Sequence, residues 1–122
     1  IKDSHFSENG IGNIQLSGSR AVNITEGNYF DVVGTKISTY GGEPFHIYVG
    51  KRSGSGIGVC QEVNINGNHF NAMNDSRYGA NNATGYAIVL DHVIGVNIGE
   101  NHFYQSIQGS VLGKSNARRV KI

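Results

Sequence analysis

The chain has 122 residues, room for one domain with one modest core, and carries 18 Gly, 1 Pro, no Trp and a net charge of +1. Frequent glycine with almost no proline and no G-X-Y period excludes collagen, while 38% apolar content excludes a disordered chain. No run approaches the ~20 apolar residues of a membrane-spanning helix, and outside residues 114–122 six basic residues face nine acidic ones, which is not a nucleic-acid surface.

In chain order, the opening Ile1-Lys2-Asp3-Ser4-His5-Phe6 has no Met and no signal-peptide pattern, and it begins inside a repeat, so a fragment or processed product is expected. Its Ser4-His5-Phe6 is a truncated copy of a word found three times. Ile14-Gln15-Leu16 is a short β run, followed by Val22-Asn23-Ile24 and Asn28-Tyr29-Phe30. His46-Ile47-Tyr48-Val49 is the next run, followed by Val63-Asn64-Ile65 and Asn68-His69-Phe70. Ala87-Ile88-Val89-Leu90 then precedes Val96-Asn97-Ile98 and Asn101-His102-Phe103. Candidate third strands cover 30–33, 70–73 and 103–107.

The word has a physical reading. Val and Ile alternate with Asn at period 2, which turns the aliphatic pair inward and the amide outward. Gly or Glu-Gly supplies a turn with positive φ. The second Asn sits at the bend, where its amide can bond to unpaired backbone groups and to the Asn of the next copy. The Phe re-enters the core, and His69 and His102 occupy the slot of Tyr29, a stacking position rather than a metal ligand. The phenylalanines Phe6, Phe30, Phe70 and Phe103 lie 24, 40 and 33 residues apart. Unequal spacing of a constant unit confines insertions to loops, here 35–44, 50–58 and 74–85.

Such a pattern predicts an all-β fold, a parallel β-helix of about four to five rungs spanning residues 1–113, with 114–122 a basic tail or a linker to a following domain. A β-sandwich has no reason to repeat this word, and a propeller needs a longer chain. The lone Cys60 excludes an intrachain disulfide and a cysteine zinc site, and is expected to be a buried inert thiol.

The repeated V-N-I and N-x-F words resemble the right-handed parallel β-helix of pectin-lyase-like proteins, above all the tailspikes of bacteriophages and their prophage relatives. The resemblance covers about residues 1–112 and is specific for fold, not for reaction. It implies a homotrimeric, extracellular spike in the virion tail, joined to other domains of a longer chain, which binds or depolymerises bacterial surface polysaccharide. No catalytic motif of the family is matched. If the chain is an enzyme, it is expected to be a hydrolase or lyase; a scaffold shaft is the remaining alternative.

Glycosidases need two carboxylates across the scissile bond, and stacked rungs can assemble them from distant positions. Asp91, Glu62 and Asp31 are the catalytic candidates. Tyr48, Tyr86, His46 and His92 are the substrate-binding candidates. Neither a calcium array nor a phosphate-loop ending is present, so no metal or cofactor is expected. Neither nucleic acid nor a membrane is an expected partner.

Overall fold

The computed structural model describes residues 1–7, 12–31, 44–50, 58–71, 86–104 and 109–122. Within them lie twelve strands and no helix: β1 His5–Phe6, β2 Gly12–Leu16, β3 Arg20–Thr25, β4 Tyr29–Phe30, β5 Phe45–Val49, β6 Cys60–Asn66, β7 His69–Phe70, β8 Tyr86–Leu90, β9 Val93–Gly99, β10 His102–Phe103, β11 Gly109–Gly113 and β12 Ala117–Lys121.

They form three four-stranded sheets. The short sheet runs β1-β4-β7-β10, the second β2-β5-β8-β11 and the third β3-β6-β9-β12. Every pairing is parallel. The chain visits second, third and short sheet in that order and repeats the circuit, an arrangement consistent with a parallel β-solenoid. The repeated words lie in register: Val22, Val63 and Val96 are neighbours, as are Ile24, Ile65 and Ile98. Each ladder pair buries the same side chain against itself, so one packing solution serves the whole stack.

The phenylalanines make a single column. Phe6–Phe30, Phe30–Phe70 and Phe70–Phe103 stack at 4.9, 4.8 and 5.0 Å with interplanar angles of 6°, 8° and 10°. That spacing is the separation of paired strands. Outside them His5, Tyr29, His69 and His102 share one register position. The same two-residue strands that close the core with Phe therefore place His and Tyr rings on the other side.

The bend between third and short sheets is held by the second Asn. Asn28 Nδ2 donates to Asn68 Oδ1 at 2.8 Å, and Asn68 Nδ2 donates to Asn101 Oδ1 at 2.9 Å. Asn68 Nδ2 also donates to the Ile24 carbonyl at 2.9 Å, and Asn101 Nδ2 to the Ile65 carbonyl at 2.7 Å. Asn28 and Asn68 are buried, so this ladder satisfies backbone groups that the corner would otherwise strand.

A feature without a sequence signature crosses the third sheet. Ala21, Glu62, Gly95 and Arg119 stand at equivalent positions and all have left-handed backbone, with φ of 53°, 55°, 78° and 55°. The left-handed residue resets the alternation of the strand. Cys60 and Val63 are therefore both buried although they are three residues apart, as are Val93 and Val96.

Two expectations differ from the structure. The short-sheet strands are two residues long and begin at Tyr29, His69 and His102; Asp31, Asn71 and Tyr104 lie just past them, and the rest of the candidate third strands falls outside the described residues. The segment read as a tail contains β12, which extends the third sheet beyond β9. Ala117 and Val120 pair with Val93 and Val96, and the basic side chains between them are exposed. The inserted loops fall almost wholly outside the described residues. Cys60 is a buried free thiol.

Candidate functional site

The corner between second and third sheets brings Tyr48, Asp91, His92 and Lys114 together. Its backbone is tied strand to strand: Asp91 N donates to Val49 O and Lys114 N to Leu90 O, both at 2.8 Å. This stacks the ends of β5, β8 and β11. Tight passage is allowed by Gly50, whose φ is 127°; a Cβ there would lie 2.8 Å from His92 N.

On that frame sits a polar cluster. Tyr48 Oη donates to Asp91 Oδ2 at 3.0 Å and accepts from Lys114 Nζ at 3.2 Å. Lys114 Nζ also lies 5.4 Å from the Tyr48 ring centroid, within cation–π range. Asn116 Nδ2 donates to Asp91 Oδ1 at 3.4 Å. His92 Nδ1 approaches the same oxygen at 3.2 Å, outside hydrogen-bond geometry. Burial pushes the Tyr48 hydroxyl above its ordinary pKa; the Lys114 bond opposes this, and the Asp91 bond and charge reinforce it. Tyr48 therefore stays a neutral donor at physiological pH.

Tyr48 and Asp91 are 5% and 8% exposed, whereas Lys114, Asn116 and Arg118 are open. A cleft lined by Val59, His92, Ile94, Asn116 and Arg118 opens beside the cluster. The buried Tyr48–Asp91 pair fixes the geometry, and the exposed rim can meet a ligand.

The other candidates lie elsewhere. Glu62 sits in the left-handed column of the third sheet, exposed, with its carboxylate 3.6 Å from Arg20 Nε. Asp31 follows β4 and accepts a 3.0 Å bond from Asn71 Nδ2. The three carboxylates thus occupy different parts of the circuit. Tyr86 lies over Gly109 of the next strand and packs with Phe45, Tyr48 and Val89 in a cluster apart from the main core. His46 is buried against Phe30 and Phe70. Its Nδ1 is 2.7 Å from Asn13 Nδ2 and its Nε2 is 2.8 Å from Asn71 O, so Nε2 carries the proton. Burial lowers its pKa to about 4, against the opposing influence of the Asn71 carbonyl and the Asp31 charge. His46 and Tyr48 are therefore supports rather than open sugar platforms. Lys114 and Asn116, which complete the corner, were hidden in the segment read as a linker. The signal for them was positional: Gly113-Lys114 follows Val111-Leu112 as Leu90-Asp91 follows Ile88-Val89. Among the described residues no group of three or more His, Cys, Asp or Glu could hold a metal.

No family model matches the chain, and neither a curated protein nor a solved structure matches it.

Proposed function

We propose that the chain is part of a right-handed parallel β-helix of about four to five rungs from a spike of the bacteriophage tailspike kind, a homotrimer outside the cell, and that the corner beside Asp91 binds bacterial surface polysaccharide. The observation that carries this reading is the Tyr48–Asp91–Lys114–Asn116 cluster, which joins three neighbouring circuits and reaches through Asn116 into a cleft that His92 and Arg118 also line. Sugars are recognised by such polar groups set beside apolar surface, here Val59 and Ile94.

Binding is favoured over turnover because a glycosidase needs its two carboxyls roughly 5–10 Å apart across one bond, whereas Asp91, Glu62 and Asp31 belong to different corners and sheets. The test is a panel of capsular and lipopolysaccharide O-chain glycans titrated against the chain. One glycan should bind, and Lys114→Ala should weaken it about tenfold, the loss of one charge-assisted hydrogen bond. New reducing ends or unsaturated uronate absorbance after incubation would replace binding by catalysis. Absence of binding to every glycan of the panel would leave the scaffold-shaft reading in its place.

A further inference from the structure

The outer face of the short sheet carries a second surface that the corner does not use. His5, Tyr29, His69 and His102 are exposed there, with successive ring centroids 5.2, 6.2 and 5.4 Å apart. On the far side of the phenylalanines runs another column. Asp31 N donates to Phe6 O, Asn71 N to Phe30 O and Tyr104 N to Phe70 O, at 2.8, 2.7 and 2.7 Å, which sets Asp31, Asn71 and Tyr104 at successive levels. Between the columns lies a cleft of about 270 Å³ lined by Tyr29, His69, Phe70, Asn71, His102 and Tyr104.

This cleft is preorganised. Asn71 Nδ2 donates both to Tyr29 Oη at 3.2 Å and to Asp31 Oδ1 at 3.0 Å, while its carbonyl is held by His46 from the core. Its rim is aromatic and open, with Tyr104 57% exposed. The charge around it has one sign. Among the described residues, the acidic Asp3, Glu26, Asp31 and Glu100 stand within three positions in sequence of a ring of the column, against the single lysine Lys2. The basic group Lys114, Arg118, Arg119 and Lys121 belongs to β12 and the turn before it, in another sheet.

We infer that this cleft is a second carbohydrate site, which takes an extended glycan bearing free amino groups and lays it along the stacking direction with one sugar per strand. Three features of the ligand answer three features of the surface. The apolar C–H faces of a pyranose suit the Tyr and His rings, and its hydroxyls suit the Asn71 and imidazole edges. An ammonium group is drawn to the Asp31 carboxylate and to aromatic faces, whereas a polyuronate meets like charge. Strands repeat every ~4.8 Å, close to the length of one pyranose in an extended β-1,4 chain, so successive sugars meet equivalent rings. The site shares with the corner only its class of ligand, so the two assignments fail separately.

Calorimetric titration with β-1,4-glucosamine oligomers, from the disaccharide to the hexasaccharide, is the test, with oligogalacturonates of the same lengths as the anionic counterpart. The glucosamine oligomers should bind, gaining affinity with each unit up to the tetrasaccharide and then levelling off. Asp31→Asn and His69→Ala, each checked for native circular dichroism, should each weaken binding about tenfold, and Lys114→Ala should leave it unchanged. Oligogalacturonates should not bind. Equal binding of the two series, affinity independent of length, insensitivity to both Asp31→Asn and His69→Ala, or no binding of the glucosamine series would each overturn the assignment; none of these bears on the Lys114 result for the corner.

Discussion

Two amides of the same repeat copy, Asn64 and Asn68, do different work. Asn68 lies inside the bend, where it links Asn28 to Asn101 and caps the Ile24 carbonyl; Asn64 lies on the third sheet and makes an exposed bond to Asn23. Removing a buried hub leaves several polar groups unpaired, each costing about 1–3 kcal/mol. Asn68→Ala should therefore cost about 3 kcal/mol in urea unfolding, and Asn64→Ala no more than about 0.5 kcal/mol. His46 makes a pH prediction. Its pKa is about 4 in the fold against the ordinary 6.5, so between these values the unfolded chain binds more protons and stability rises with pH. The protein should be at full strength above pH 6.5 and lose up to about 3 kcal/mol as the pH falls toward 4. His46→Gln should flatten that part of the curve in denaturation measured across the range. The ladder was legible because Asn recurs at one offset from an aliphatic pair; the His46 bonds were not, because Asn13 and Asn71 belong to no repeat.

At the scale of the strand, the left-handed column explains what the alternation of residues could not. Period 2 read from V-N-I predicts one inward phase, yet β6 and β9 each begin with an inward residue of the opposite phase, Cys60 and Val93. Ala, Glu, Gly and Arg at the switch share no composition, so only backbone geometry reveals them. Left-handed backbone costs a residue with a Cβ roughly 1 kcal/mol. Gly95→Ala should therefore destabilise by about 1 kcal/mol, since the nearest atom to its new Cβ is 3.8 Å away and strain alone is added. Ala21→Gly, at the equivalent φ of 53°, should be neutral or slightly stabilising, which thermal unfolding of the two variants can compare. If both changes cost the same, the column is not the source of the strain. The corner cluster was half legible for a related reason. Tyr48, Asp91 and His92 sit at the end of obvious β runs, whereas Lys114 and Asn116 follow the weak run Gly109–Gly113 and sit in a basic stretch that composition assigns to a tail.

Over the whole molecule, burial is uneven along the stack. β5, β6, β8 and β9 supply most of the fully buried side chains, whereas β1 and β12 are half-exposed or exposed. Because the backbone pairing of each strand runs only to the neighbouring levels of its sheet, opening can start at a poorly buried level before it reaches the next. Amide exchange should be slowest in β5, β6, β8 and β9 and faster in β12; uniform protection from β1 to β12 would indicate one indivisible unit. The register of the phenylalanines also makes the levels interchangeable. Phe30 and Phe70 occupy the same place one level apart, as do Ile24 and Ile65 or Asn28 and Asn68. A chain spliced from Phe30 directly to Asn71 would bring β3 onto β9 with Val22 against Val96 and Ile24 against Ile98. Whole levels are thus like identical coins in a roll, and the height of the object can be edited by one level at a time while the pattern printed on each coin stays the same.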